Sequence, residues 1–390
     1  MGNYKYKIGK KYWSSNMRVA ILESIVMPAG HEVEFDRILI NELKKQGHEP
    51  VFFVPPNFPF KFDYGADIEY LEGGEAISYA GLGRLKRLWF SILREKRRKA
   101  WFNSAYQKIL EGKCDVLIIP TASFRFARTL YKTALKDSPI PIILLFHGII
   151  DHEREHFELQ AKRCEPYKNI HLKVLTFRDE YKDGKKPNIS AVVPPVYEPK
   201  EGVVPSDENK PLTIGFFGQF RKEKQLNQFL DAFIEAKFDV PVNLFVQGAT
   251  VTKEDSDLFE SMIKDYNKYK NIQFLHKNLI GKEWDEQVIN VDALLLPYGA
   301  ERYRYQCSAI LFTAIGFNKP VLVSKEINPE VLSQYSIGMT LDLTSRETIV
   351  QGLEAFIDIM ANRPEIFEKG LKAANIAYSQ ERLIKEILDV

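Results

Sequence analysis

The chain has 390 residues, enough for two domains with sizeable cores. Apolar residues make up 45% and charged residues 27%, both globular values, and a formal net charge of +2 gives no bulk electrostatic reason for a nucleic-acid partner. Cys114, Cys164 and Cys307 are scattered without metal-type spacing, Met1 to Met17 has no apolar core for a signal peptide, and no apolar run approaches the ~20 residues of a membrane span, so a soluble cytoplasmic protein in a reducing compartment is expected.

Arg18 to Glu23 reads as a first buried strand, followed by a loop, Met27 to Glu32, with one glycine. Val33, Phe35, Ile38, Leu39 and Leu43 recur at helical spacing, Gly47 ends that helix, and Val51 to Val54 is the second strand. This β-α-β start lacks a three-glycine fingerprint, and Gly81-Leu82-Gly83 follows no strand, so no nicotinamide or flavin cofactor is expected. Arg84 to Phe102 is the most basic stretch, with Leu85, Leu88, Trp89 and Ile92 at helical spacing inside it. Two readings stand: an amphipathic helix lying on an anionic membrane surface, or a solvated helix packing its apolar stripe on its own domain.

Cys114 to Pro120 and Ile140 to Phe146 are apolar runs of the kind parallel strands need. The second ends in His147-Gly148, where sites gather; His147 is either a partner for a substrate hydroxyl or a structural loop residue. Val174 to Phe177 and Ser190 to Val193 are further strands, and the proline- and charge-rich Val196 to Pro211 is the best linker. After it the alternation restarts: strand Leu212 to Phe217, loop Gly218 to Lys224, and a helical face of Leu226, Phe229, Leu230 and Phe233. Val242 to Val246, Asn271 to Leu275 and Ala293 to Leu296 continue a second sheet. Leu294 to Tyr298, a polar loop, a helix capped by Ser308 and the strand Val321 to Val323 form a β-α-β unit, with Gly316 near the helix end. The opening of that helix aims free N–H groups and a positive dipole end at the crevice, which suits a phosphate. Helices fill Arg346 to Asn362 and Pro364 to Asp389, and no short repeat occurs. Asp255-Ser256-Asp257 precedes an amphipathic helix and reads as an acidic first turn. Two β-α halves joined by one linker imply two domains facing across a cleft.

At these residues the chain resembles a retaining glycosyltransferase of the glycosyltransferase-B fold, most similar to family four. Gly218 with Glu223-Lys224 is similar to the family's Gly-Arg-Leu-x-x-Glu-Lys turn. Pro297-Tyr298, Ser308 and the run Thr313 to Val321 are similar to its Glu-Ala-x-x-x-Gly-x-Pro-Val block, His147-Gly148 to its strand-end histidine, and Tyr378 to Glu381 to the segment that crosses back. The family's paired glutamates would fall at Tyr305 and Thr313, and its turn arginine at Gln219, so this is a divergent pattern. The resemblance implies an α/β fold of two Rossmann-like domains, residues 1–200 for the acceptor and 201–372 for a nucleotide-sugar donor, with a helix at 373–390 returning to the first. It implies hexosyl transfer from a nucleoside-diphosphate sugar to a glycan or lipid-linked acceptor in cell-surface polysaccharide synthesis, with no metal required and possible peripheral contact with the inner membrane face through 84–102.

On that reading the donor side is Gly218, Gln219, Arg221, Lys224, His276, Pro297, Tyr298, Tyr305, Cys307, Ser308, Ala309 and Thr313. Lys224 and Arg221 would neutralise the leaving diphosphate, although Lys224 is equally a surface cation, Ser308 a plain cap and Thr313 a packed residue bonding back into its helix. Gly30 and His31 fall on the acceptor side, and His147 and Glu32 are the catalytic candidates; Glu32 also suits the helix dipole. A periplasmic-type binding protein, a sugar-nucleotide epimerase and an inactive scaffold are the competing readings. The expected absence of a signal peptide and the Lys224/Ser308 pair argue against the first.

Overall fold

A computed structural model describes residues 16–25, 31–60, 63–78, 83–182, 184–206, 210–299 and 301–390. Gly30, Gly81, Leu82 and the first fifteen residues lie outside these.

The first domain is an all-parallel seven-stranded sheet. In chain order it comprises β1 (Arg18–Leu22), α1 (His31–Lys45), β2 (Glu49–Val54), β3 (Asp67–Tyr70), α2 (Arg84–Leu110), β4 (Val116–Ile119), α3 (Phe124–Leu130), β5 (Ile142–Phe146), α4 (Asp151–Cys164), β6 (Ile170–Leu175) and β7 (Ile189–Val192). The strand order is β3-β2-β1-β4-β5-β6-β7. β4 and β5 are buried throughout and wholly apolar, as strands covered by helices on both faces must be. β3 alternates polar and apolar residues but is only four residues long and leaves Ile68 and Tyr70 exposed at the sheet edge, too short a run to stand out in the sequence. α1 carries Glu32 and Glu34 in its first turn and Lys44 and Lys45 in its last, both complementing the dipole.

The second domain repeats the plan with six parallel strands: β8 (Leu212–Phe216), α5 (Leu226–Glu235), β9 (Val242–Gly248), α6 (Lys253–Tyr266), β10 (Ile272–His276), α7 (Gly281–Ile289), β11 (Ala293–Leu296), α8 (Ala309–Gly316), β12 (Val321–Ser324), α9 (Pro329–Gln334) and β13 (Gly338–Leu341). The order is β10-β9-β8-β11-β12-β13. Then come α10 (Arg346–Asn362), α11 (Glu368–Ala377) and α12 (Gln380–Leu388). Asp255 and Asp257 lie in the opening turns of α6, capped by Thr252.

α11 packs into the second domain's core through Leu371 and Ala374. α12 crosses back: Leu383, Ile384, Ile387 and Leu388 join Phe35, Ile38 and Leu39 of α1 in the first domain's core. Burying four such side chains contributes roughly 6–12 kcal/mol at about 1.5–3 kcal/mol each. The crossing is pinned where Gln380 Nε2 donates to Val196 O (2.9 Å), Arg382 Nη2 to Val193 O (2.9 Å) and Lys173 Nζ to Asp389 O (2.6 Å).

Gly316 stands at the helix end, as its sequence reading has it. It is the last residue of α8, and the left-handed residue beyond the helix is Asn318, at φ 54°. A Cβ on Gly316 would sit 2.1 Å from Tyr197 O, so glycine lets the interdomain linker lie directly on the helix.

α2 departs from one of its two readings, the one in which its apolar stripe packs on its own domain. It runs 27 residues, about 40 Å at 1.5 Å each, past strands of four to six residues. Its buried residues, Arg98, Trp101, Phe102, Ala105 and Ile109, all lie in the second half. Leu85, Leu88, Trp89 and Ile92 are 87%, 66%, 64% and 60% exposed, so the apolar stripe does not pack on its own domain.

Candidate donor and acceptor site

On the second domain the turn after β8 and the start of α8 come together. Gly218 sits at φ 114°, a conformation that favours glycine, and a Cβ there would lie 3.5 Å from the Ile310 side chain in the first turn of α8. Its N–H donates to Gln247 Oε1 (2.8 Å), and Gln247 in turn donates to Lys277 O (2.7 Å). Ser308 caps α8 by accepting from Leu311 N (3.3 Å), while its own N–H donates to Asn328 Oδ1 (2.8 Å). Asn328, buried at φ 38°, therefore fixes the mouth of the helix; only this left-handed backbone hints at its role, and nothing local in the sequence does. Ala309 follows at the first helical position, so the opening N–H groups of α8 face the Gly218 turn.

Lys224 joins this cluster from below. It is 6% exposed, not the surface cation of the alternative reading, and its Nζ lies over the Tyr298 ring (4.4 Å) and the Phe216 ring (5.4 Å). Burial pulls its pKa down to about 7, with Arg221 adding to the drop and Glu223 opposing it. Arg221 Nη2 donates to Gln219 Oε1 (2.8 Å), which places both at the rim of the turn. Pro297 and Tyr298 are buried at the end of β11.

Four donor-side candidates have other partners. Thr313 donates to Ala309 O (2.8 Å) within its helix and is buried, as the packed reading has it. His276, at the end of the edge strand β10, binds Glu260 through Nδ1 and Thr250 Oγ1 through Nε2 (2.9 Å). Tyr305 and Cys307 reach the first domain: the Tyr305 phenol donates to Asp151, Arg178 stacks over its ring (4.4 Å), and Cys307 Sγ donates to Leu175 O (3.6 Å). Burial raises the Cys307 thiol well above its usual range, so it is an uncharged contact.

The first domain answers across the cleft with the carboxyl ends of three neighbouring strands. His147, after β5, packs edge-on to Phe35 (4.7 Å) and against His31 (5.2 Å). Its Nε2 lies 2.8 Å from Pro120 O, and since a carbonyl only accepts, the proton is on Nε2. Burial, then His31, pushes its pKa down to about 3 against the Pro120 bond. His147 is thus a neutral imidazole presenting the Nδ1 lone pair, an acceptor for a hydroxyl rather than a cation. The space beside Gly148, at φ 85°, holds the Tyr305 carbonyl, 2.3 Å from a notional Cβ. Glu32, in the first turn of α1, stands 3.9 Å from His31 Nδ1 with its side chain 28% exposed.

Sequence reasoning missed two carboxyls here. Glu23, after β1, accepts from Thr121 Oγ1 (2.8 Å) and Ser24 N (2.8 Å) and is 4% exposed. Asp36, on α1, is 0% exposed and no donor reaches either oxygen. Hiding a carboxylate in an apolar run made both look like ordinary strand-end and helix positions. Among the described residues no group of three or more acidic, cysteine or histidine side chains is placed to hold a metal ion, and no helix is long and apolar enough to cross a membrane.

No family model and no curated protein matches the chain. Solved structures do. A glycosyltransferase from Rickettsia africae aligns at TM-score 0.67 and 12% identity, over 96% of this chain and 97% of that one. Anabaena HepE in complex with UDP and glucose aligns at 0.60 and 12%, over 95% and 97%. WaaG, a glycosyltransferase involved in lipopolysaccharide biosynthesis, aligns at 0.57 and 13%, over 94% and 98%. The chain has the two-domain glycosyltransferase-B fold of these proteins.

Proposed function

We propose that this protein is a glycosyltransferase that moves a hexosyl group from a nucleoside-diphosphate sugar, with uridine as the first base to test, to a glycan or lipid-linked acceptor in cell-surface polysaccharide synthesis. The observation that carries the reading is the meeting of Gly218, Lys224 and the opening turn of α8 at the carboxyl ends of one sheet, opposite His147 on the other. The diphosphate would lie against Gly218 and the N–H groups of Ala309 and Ile310. Lys224 and Arg221 supply the positive charge that develops importance as the sugar–phosphate bond breaks, in place of a metal. The sugar then extends toward the first domain, where the His147 Nδ1 lone pair accepts from one of its hydroxyls. UDP held by HepE, of the same fold, supports uridine as the starting choice.

Peripheral contact with an anionic membrane surface through the overhanging half of α2 fits a lipid-linked acceptor. Four exposed apolar side chains are flanked there by Arg84, Lys86, Arg87, Arg94 and Lys96.

Calorimetric titration with uridine, guanosine and thymidine diphosphates, followed by assay of the matching sugar donors with and without acceptor, tests the reading. Binding of one diphosphate at micromolar strength and slow release of sugar from its donor are expected. Epimerisation of the donor with no transfer would convert the reading to an epimerase, and failure to bind any diphosphate would refute it.

A further inference from the structure

Residues 305–308 of the second domain, just ahead of α8, are anchored alternately to the two domains. The Tyr305 phenol donates to Asp151 Oδ2 at the start of α4, and its ring lies under the Arg178 guanidinium (4.4 Å). Gln306 O accepts from Asn328 Nδ2 (3.3 Å) in the second domain. Cys307 Sγ reaches Leu175 O (3.6 Å) at the end of β6 in the first. Ser308 N returns to the second domain, donating to Asn328 Oδ1 (2.8 Å). One buried asparagine therefore ties this segment to the donor side, while Tyr305 and Cys307 tie it to the acceptor side. The Tyr305 carbonyl closes the contact against Gly148, where a side chain would collide with it.

Asp151 is itself fixed for this contact. Arg154 Nη2 donates to its Oδ1 (2.6 Å) while the phenol takes Oδ2. Arg178 Nη1 lies 3.9 Å from the same Oδ1, and Arg178 Nε pairs with Glu180 (3.0 Å), which keeps the guanidinium over the Tyr305 ring. A carboxylate, two guanidiniums and a phenol thus meet where the two domains touch, and each fixes its neighbour.

We infer that the Asp151–Tyr305 contact is an interdomain bolt, and that both are positioning residues that set the separation between His147 and the opening turn of α8. The inference rests on the glycosyltransferase reading. His147 and Asp151 are four positions apart on the turn from β5 into α4, and Tyr305 and Ala309 are four apart on the approach to α8. Four residues span at most about 14 Å even when fully extended, so neither group can stray far from its end of the bolt. A sugar that bridges His147 and the diphosphate needs both walls at one separation, whereas the diphosphate rests on the second domain alone. Fixing that separation before the sugar–phosphate bond breaks is a contribution to orientation, felt in turnover and not in nucleotide affinity. Tyr305 stands where the resemblance to family four places the first of its two glutamates, and in this chain that position serves the contact between domains.

The test uses the full chain, calorimetry with UDP, and hydrolysis of UDP-glucose or of whichever donor of the panel is hydrolysed. Tyr305→Phe keeps the ring under Arg178 and removes only the hydroxyl. It and Asp151→Ala should each lower kcat about 10- to 100-fold, the effect of a misplacement of about 1 Å, with UDP affinity within about three-fold of wild type. Asp151→Asn keeps an oxygen for the phenol and should recover most of what Asp151→Ala loses. The double variant Tyr305→Phe with Asp151→Ala should be no slower than the slower single, because both changes remove one contact. A Tyr305→Phe rate above half of wild type, a UDP affinity that falls as far as kcat, or losses that multiply in the double variant overturns the proposal while leaving the glycosyltransferase reading intact. Should Asp151→Ala fail to fold, Tyr305→Phe decides alone, through its split between kcat and affinity. A wild-type chain that binds no nucleoside diphosphate, or hydrolyses no donor, removes the parent reading and this one with it.

Discussion

Replacing Lys224 by methionine separates what the residue costs the fold from what it does for a ligand. In the folded chain burial lowers its pKa from 10.5 to about 7. Below pH 7 both folded and unfolded chains carry the charge, and the full penalty applies, about 5 kcal/mol at 1.36 kcal/mol per unit. Between pH 7 and 10.5 the unfolded chain binds more protons, so stability rises with pH and the penalty fades. Methionine fills the same slot against Tyr298 and Phe216 without charge. Allowing about 1–2 kcal/mol for the lost cation–π contacts, Lys224→Met should be stabilised by about 3 kcal/mol at pH 6 and by progressively less toward pH 9. Diphosphate binding should go the other way. Protonated Lys224 pairs with phosphate far better than the neutral form, whose affinity the variant approximates, so for a group titrating at 7 wild-type affinity for UDP should fall about 10- to 40-fold from pH 7 to pH 9. The variant should bind about 10- to 150-fold more weakly at pH 7 and show no such slope. Urea unfolding and calorimetry at pH 6, 7 and 9 supply both readouts. A variant less stable than wild type at pH 6, or a flat wild-type affinity between pH 7 and 9, would refute the argument.

His147→Ala should reduce sugar transfer or donor hydrolysis by about 10- to 1000-fold with UDP affinity nearly unchanged, because on the proposed reading its Nδ1 would accept from the sugar while the nucleotide lies on the other domain; full turnover, or lost UDP binding in a folded variant, would make it structural. Because that imidazole titrates only near pH 3, wild-type activity should show no acid limb assignable to His147 above pH 5. The overhang of α2 should sediment with vesicles containing phosphatidylglycerol and not with phosphatidylcholine alone, and Trp89→Ala with Lys96→Glu should abolish this; equal binding to both vesicle types counts against a charge-directed surface. Gly316→Ala should destabilise by several kcal/mol, since its Cβ would overlap the Tyr197 carbonyl, and an unchanged melting temperature would show that the linker moves freely.

The parts of this molecule legible in the sequence are those whose cause is local. Ala293–Leu296 and Ile142–Phe146 announce themselves because a strand covered on both faces has to be continuously apolar. Ser308 is readable as a cap because a hydroxyl before an apolar helix has few other uses. Asp67–Tyr70 was not, because an edge strand of four mostly exposed residues is too short for its alternation to stand out. At the site, Gly218 and Lys224 were found through the resemblance to the family's turn and Ser308 as a helix cap, and Gly218 and Ser308 meet at the start of α8. Asn328 and the Glu23–Asp36 pair were not found, because each acts on residues far away in the chain: Asn328 on Ser308, twenty positions back, and Asp36 on a strand end across a loop. Tyr305 was assigned to the donor by its place in a motif, whereas its partner Asp151 lies in the other domain, at a separation of 154 residues.

The return of α12 sets a timetable for synthesis. The face of the first sheet that carries α1 is closed by Leu383, Ile384, Ile387 and Leu388 of α12, which follows both sheets in the chain. At about 5–20 residues per second, the stretch from the end of β7 at Val192 to Leu383 takes roughly 10–40 s to make. Through that interval the first domain has all its strands and an uncovered apolar strip along α1. The nascent first domain is thus the species that chaperones would meet, and deleting α12 alone should harm solubility out of proportion to its length.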